Sequence, residues 1–143
     1  MGKKIGAILG GTLVTVAAIG AVIVASKLSK INTVKLDTDK LSVSKEAKKR
    51  GSGYLNVALF GVDSRDNDLD KGTRSDTIMI ASLNKKTMKV KIASIYRDTL
   101  SEQEDGTLNK INAAYSYGGP EGALSVLNKN LDMNIEHYVT VNF

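Results

Sequence analysis

An uncharged apolar run near the N-terminus constrains this chain more than any other feature. It covers residues 5–26, 22 residues in all, with Lys3 and Lys4 before it and Lys27 after it. A helix of that length would extend about 33 Å, against a bilayer hydrocarbon core of about 30 Å. A cleaved signal peptide would have a shorter apolar region and small residues around its cleavage site. The run therefore predicts an uncleaved transmembrane helix.

Charge is distributed unevenly along the rest of the chain. Residues 1–53 carry a net charge of +7, and residues 54–143 carry a net charge of −2. The basic excess lies in the tail, residues 1–4, and in residues 27–53, which predict a juxtamembrane linker. A protein that binds nucleic acid needs its cations on the folded surface, so this distribution argues against a nucleic-acid partner. The linker cations would be attracted to anionic lipid headgroups, but a merely solvated linker explains them equally well.

Residues 54–143 predict one α/β domain, with a mixed sheet flanked by helices. Pro120 follows two glycines and predicts the start of a helix that runs to about Asn130. Short apolar or alternating segments predict four strands, at residues 54–60, 77–83, 88–95 and 137–143. The second and third of these strands form a hairpin.

Charged residues follow or precede three of these strands. If the first strand ends at Gly61, a polar loop returns the chain to the second strand at the same edge of the sheet. The hairpin then brings the end of the third strand back to that edge. We therefore expect five charged residues, here called the rim, to lie together where α/β sheets commonly bind ligands: Asp63, Arg74, Asp76, Arg97 and Asp98.

The residue types of the rim suit a diphosphate. Two carboxylates are the usual protein ligands of Mg²⁺ when substrate phosphates complete its coordination, and arginine side chains match phosphate oxygens. Phosphoryl transfer depends on positioning and charge neutralisation, so no cysteine, serine or histidine nucleophile is required. Structural ion pairs or a solvated acidic loop explain the pattern equally well, because such networks also gather charges.

Four motifs carry a resemblance to a known family. They are LFGVDSR at 59–65, RSDTIM at 74–79, SIYRDT at 94–99, and KINAAY at 110–115 followed by YGGP at 117–120. In this order they strongly resemble the LytR-CpsA-Psr family over residues 54–143, and the anchor and linker match its usual layout. Members are bacterial enzymes that transfer teichoic acids or capsular polysaccharides from a polyprenyl-diphosphate carrier to peptidoglycan. The resemblance implies a single-pass membrane protein with a cytoplasmic N-terminus and an extracellular domain.

The resemblance also implies a role for each rim residue. Asp63 and Asp76 would bind Mg²⁺ or Mn²⁺, and Arg74 and Arg97 would bind the diphosphate of the substrate. Arg97 and Asp98 would be catalytic, with Asp98 either orienting Arg97 or accepting a proton from the acceptor hydroxyl. The implied partners are a polyprenyl-diphosphate-linked glycopolymer, peptidoglycan and membrane lipid.

This sequence departs from the family pattern in two ways. Tyr96 stands where the family usually has proline, and the family domain continues beyond residue 143 with further arginines. We therefore expect residues 54–143 to be an incomplete LytR-CpsA-Psr domain, truncated at its C-terminus. Two alternatives to a transferase follow: a membrane-tethered regulatory or polyprenyl-diphosphate-binding protein without turnover, and an inactive fragment.

Overall fold

The computed structural model describes residues 33–64, 69 and 72–143. The transmembrane helix predicted over residues 5–26 lies outside the described residues. Among the described residues, no helix is both long and apolar enough to cross a membrane. Leu36–Phe143 forms one compact unit, which contains all the elements described below.

A four-stranded mixed sheet forms the centre of this unit. All four predicted strands are confirmed, each with slightly different bounds: β1 Tyr54–Val62, β2 Ser75–Asn84, β3 Val90–Ile95 and β6 His137–Asn142. The strand order is β3-β2-β1-β6, in which β1 pairs antiparallel with β2, β2 antiparallel with β3, and β1 parallel with β6. The mixed α/β fold predicted from the sequence is therefore confirmed.

The remaining elements surround this sheet. A separate two-stranded antiparallel hairpin, which the sequence did not predict, precedes the long helix. Ser44 caps the α-helix at Lys45–Gly51 by accepting a hydrogen bond from the backbone N–H of Ala47. The elements are a short 3-10 helix at Thr38–Lys40, helix α1 at Lys45–Gly51, the hairpin strands β4 at Leu100–Glu102 and β5 at Leu108–Lys110, and helix α2 at Ala113–Leu131.

Helix α2 is interrupted where the sequence predicted its beginning. Gly119 has φ 63° and ψ −156°, a conformation that is essentially restricted to glycine, and Pro120 starts the second helical segment. The prediction of a helix start at Pro120 is correct for that segment. The first segment was missed because two glycines before a proline are typical of a chain break.

One face of the sheet packs against α2 and forms the core. Phe60 contacts the ring of Tyr115 in an edge-to-face arrangement, with the ring centroids 5.2 Å apart. Leu41 is also completely buried in this core, and the Asn128 side chain donates a hydrogen bond to its carbonyl oxygen over 2.9 Å. The compact unit therefore begins at Leu36 and includes residues that the charge pattern assigned to a linker.

The opposite face of the sheet is also apolar but much less covered. Ile92 pairs with Ala81 and Val139 with Leu59 in the sheet register, so all four side chains lie on this face. Ile92 and Val139 are exposed. Both faces of the sheet are therefore apolar, as expected for strands that read as nearly continuous hydrophobic runs.

Candidate phosphate-binding site

The strand register brings the rim to one edge of the sheet. Asp63 directly follows β1, Asp76 is the second residue of β2, and Arg97 follows the end of β3 by two residues. Because β1 and β3 both run antiparallel to β2, these three ends meet at the same edge, as the sequence predicts. The end of β6 lies there too, since β6 is parallel to β1.

Ion pairs connect the side chains at this edge. The Arg97 guanidinium forms an ion pair with Asp76, and its Nε lies 3.9 Å from Oδ2 of Asp98. Asp98 Oδ1 in turn lies 2.6 Å from Nζ of Lys110. These four side chains are roughly half exposed, so a ligand can reach them. Exposed ion pairs typically contribute at most about 1 kcal/mol to stability. Folding stability therefore does not account for the gathering of these four charges at one edge.

The charge state of Asp98 is set mainly by Lys110. The hydrogen bond from the Lys110 ammonium lowers the pKa of Asp98, and the positive charges of Lys110, Arg97 and Arg74 lower it further. Asp98 is therefore a carboxylate at neutral pH. A lowered pKa makes a carboxylate a weaker proton acceptor, and Asp98 lies closer to Lys110 than to Arg97.

Lys110 belongs to this site, although the sequence did not assign it there. It ends β5, and the residues after it connect back to the rim: Ile111 N–H donates to the Thr99 carbonyl over 2.8 Å, and Asn112 N–H donates to the Arg97 carbonyl over 3.2 Å. The sequence marks Lys110 as the first residue of the KINAAY motif. It does not show that Lys110 lies beside Asp98, because only the unpredicted β4–β5 hairpin returns the chain to Asp98.

Hydrogen bonds fix the described parts of the loop between β1 and β2. Ser64 and Asn142 exchange two hydrogen bonds, of 2.8 and 3.0 Å, which attach the start of the loop to the end of β6. The Thr73 hydroxyl donates to the Asp63 carbonyl oxygen over 3.0 Å, and the Tyr115 hydroxyl donates to the Leu69 carbonyl oxygen over 2.7 Å. These described residues of the loop are thus held against β6 and α2, with Asp63 exposed.

A divalent cation fits the donor chemistry of the rim. Asp63 makes no side-chain hydrogen bond to a described residue, and only one oxygen of Asp76 is engaged by Arg97. Within the described ranges, no group of three or more histidine, cysteine, aspartate or glutamate side chains is arranged to hold a metal ion. Two carboxylates completed by substrate oxygens and water would suit Mg²⁺.

Two solved structures share this fold. The crystal structure of B. subtilis TagV is 33% identical to this chain, with a TM-score of 0.55, and the match covers 62% of this chain and 36% of TagV. The structure of B. subtilis YwtF (TagT) with bound octaprenyl pyrophosphate lipid is 22% identical, with a TM-score of 0.56, over 78% of this chain and 38% of that one. The second likeness concerns the fold alone.

Sequence comparison identifies relatives of this chain and its family. The polyisoprenyl-teichoic acid–peptidoglycan teichoic acid transferase TagU of Enterococcus faecalis strain V583 is 32% identical over 148 residues, which cover 99% of this chain and 48% of that protein. The chain spans about a third to a half of the length of the curated relatives it matches. The LytR_cpsA_psr family profile matches residues 19–143. This chain, with its mixed sheet and charged rim, therefore belongs to the LytR_cpsA_psr family.

Proposed function

We propose that this protein transfers an anionic glycopolymer, of the teichoic acid or capsular type, from a polyprenyl-diphosphate carrier to peptidoglycan. The observation that carries the proposal is the solvent-accessible series of ion pairs from Asp76 through Arg97 and Asp98 to Lys110. The relatives named as teichoic acid transferases support the same chemistry. On this proposal the domain acts outside the cytoplasmic membrane and is held there by the predicted anchor.

The reaction replaces the phosphoanhydride bond of the carrier diphosphate with a phosphodiester bond to peptidoglycan. A hydroxyl oxygen of peptidoglycan attacks the phosphorus that carries the polymer, and the bond from that phosphorus to the bridging oxygen breaks. Polyprenyl phosphate leaves with the electron pair, and the proton of the hydroxyl passes to a base. Arg74 and Arg97 would bind the diphosphate oxygens, where guanidinium groups stabilise the charge that builds on the leaving group.

Asp63 and Asp76 would hold Mg²⁺ or Mn²⁺, which would neutralise part of the diphosphate charge when bound. Asp76 also keeps Arg97 in place through their ion pair, so its carboxylate would serve the cation and the arginine together. Asp98 would hold Lys110 at the rim as a third cationic side chain for the phosphates, because its contact with Lys110 is shorter than its contact with Arg97. Removal of the acceptor proton by Asp98 is the less favoured role, given its lowered pKa.

The test is transfer of a labelled polyprenyl-diphosphate saccharide to peptidoglycan by the full chain, with and without Mg²⁺. Arg97→Ala and Asp76→Ala should each reduce the rate about a hundredfold or more, the usual loss when one preorganised charge contact is removed. Arg50→Ala is the matched control, because Arg50 also pairs with an exposed aspartate, Asp132, but not at the rim. Equal rates for all three variants would refute the assignment. Lipid binding without transfer by the unaltered chain would instead favour a binding or regulatory protein.

A further inference from the structure

The end of the sheet opposite the rim carries a dense group of cations. β2 ends at Asn84 and β3 begins at Val90, and the turn between them contains Lys85, Lys86 and Lys89. No aspartate or glutamate occurs between residues 77 and 97. The turn is therefore positive without local compensation.

Helix α1 adds its own cations to this turn. Lys85 donates from its backbone N–H to the Gly53 carbonyl over 3.0 Å and from Nζ to the Ser52 carbonyl over 3.2 Å. Those two residues directly follow α1, whose last turn contains three cations, Lys48, Lys49 and Arg50. The β2–β3 turn and the last turn of α1 thus form one surface, here called the basic end.

Acidic neighbours compensate only part of this surface. Arg50 forms an ion pair with Asp132, and Lys48 lies 3.8 Å from Glu136. Among the described residues, the remaining lysines of the basic end have no ion-pair partner: Lys49, Lys85, Lys86 and Lys89. Four uncompensated cations on one surface fit an anionic partner better than they fit folding stability.

An exposed apolar side chain lies among these lysines. Met88 is 69% exposed and has φ 56°, a backbone conformation uncommon outside glycine. The turn around it is well fastened, because Asn84 Oδ1 accepts hydrogen bonds from the N–H groups of Lys86 and Thr87, and the Asn84 carbonyl accepts from Met88 N–H. The apolar tip is therefore held outward rather than folded onto the sheet.

We propose that the basic end docks on the anionic lipid headgroups of the membrane, with Met88 entering the interface between headgroups and acyl chains. Lysines attract anionic lipid, and an apolar side chain among them adds contact with the acyl region. A soluble polyphosphate polymer would match the lysines but would leave Met88 without a partner. The predicted anchor over residues 5–26 would keep the domain within reach of that surface. Docking is independent of the transfer reaction, so each can fail without the other.

The chain contains no cysteine, so single engineered cysteines can report the docking. Thr87→Cys places a fluorophore on the basic end. Tyr96→Cys places one near the rim, directly after β3, at a side chain that is 87% exposed. The full chain is inserted into nanodiscs of phosphatidylcholine with or without phosphatidylglycerol. Quenching by a headgroup spin-labelled lipid then measures how close each probe lies to the membrane.

We expect strong quenching at position 87 and weak quenching at position 96 in discs that contain phosphatidylglycerol. The difference should disappear in pure phosphatidylcholine, and at about 1 M salt, where the screening length falls to about 3 Å. Lys86→Gln with Lys89→Gln should lower the ratio of docked to undocked protein about fivefold for each lysine. The matched control is Lys40→Gln with Lys129→Gln, since both of these lysines already have acidic partners.

Three results would overturn the proposal. The first is equal quenching at the two positions, and the second is quenching at position 87 that does not depend on lipid charge. The third is a response of the position-87 probe to soluble poly(glycerol phosphate) in phosphatidylcholine discs but not to phosphatidylglycerol, which would assign the basic end to the polymer. Circular dichroism of both double variants verifies that the fold is retained.

Discussion

Two asparagines in helix α2 make the same set of hydrogen bonds in opposite environments. Asn128, which is 2% exposed, donates to the carbonyl oxygens of Leu41 and Ile135 over 2.9 and 3.0 Å and accepts from Ile135 N–H over 2.8 Å. Asn130 is exposed, and it donates to two backbone carbonyl oxygens, over 2.9 and 2.8 Å, and accepts from one N–H over 2.9 Å. Replacing each by alanine therefore compares equal bonding at unequal burial.

The expected costs differ because water can replace only one of the two side chains. Asn128→Ala leaves two carbonyl groups and one N–H without partners inside the protein, at about 1–3 kcal/mol each, so the total is about 3–9 kcal/mol. Asn130→Ala exposes its partners to solvent and should cost about 1 kcal/mol or less. Both substitutions create alanine in the same helix, so the gain in helix propensity cancels in the comparison.

Urea denaturation of the full chain in mild detergent, followed by circular dichroism, measures the difference. With a slope of about 1–3 kcal/mol per molar urea, Asn128→Ala should lower the midpoint by at least about 0.7 M more than Asn130→Ala. Equal midpoints for the two variants would refute the reasoning, because they would show that Asn128 does not fix the segment around Leu41 to the core.

Three further predictions concern single positions. Gly119→Ala should destabilise the fold by about 1–3 kcal/mol because of its backbone conformation, whereas Gly53→Ala, with no atom near the added methyl group, should be nearly neutral in the same denaturation assay. Lys110→Gln should raise the pKa of Asp98 toward its ordinary value, as measured by NMR titration of the carboxyl carbon; an unchanged pKa would show that Lys110 does not hold Asp98. In the unaltered protein, the lowered pKa of Asp98 stabilises the fold at pH values above about 4, the ordinary pKa of a carboxyl group. This stabilisation is lost as the pH falls through the lowered pKa. Tyr115→Phe should cost about 1 kcal/mol by removing hydrogen bonds to the β1–β2 loop and to β6, and should increase amide hydrogen exchange in that loop.

The strands and the meeting of the rim charges could be predicted because their signals are local. Apolar runs that end at glycine or at charged residues determine where β1, β2 and β3 end, and a hairpin requires the ends of β1 and β3 to lie at one edge. Asp76 and Arg97 therefore come together as a consequence of strand order. The chemical roles of the rim residues stay predictions, since they depend on ligands and not on strand order.

Features that depend on distant contacts could not be predicted. Leu41 lies in a segment whose lysines and serines are typical of a linker, and only its contact with α2 makes it part of the core. The position of Lys110 beside Asp98 depends on the β4–β5 hairpin, whose strands are three residues each and too short for a periodic signal. The sequence predicted only the second half of α2 for a similar reason, because Gly119 marks a break without showing that a helix precedes it.

The parallel pairing of β1 with β6 has a consequence for how the chain folds during synthesis. β1, β2 and β3 are consecutive and antiparallel, so they can pair as soon as they are made. His137 pairs with Val57, about eighty residues earlier, and this contact must wait until β6 has been synthesised. Until then β1 presents an open edge to other chains, so we expect early intermediates to depend on chaperones and to aggregate through that edge.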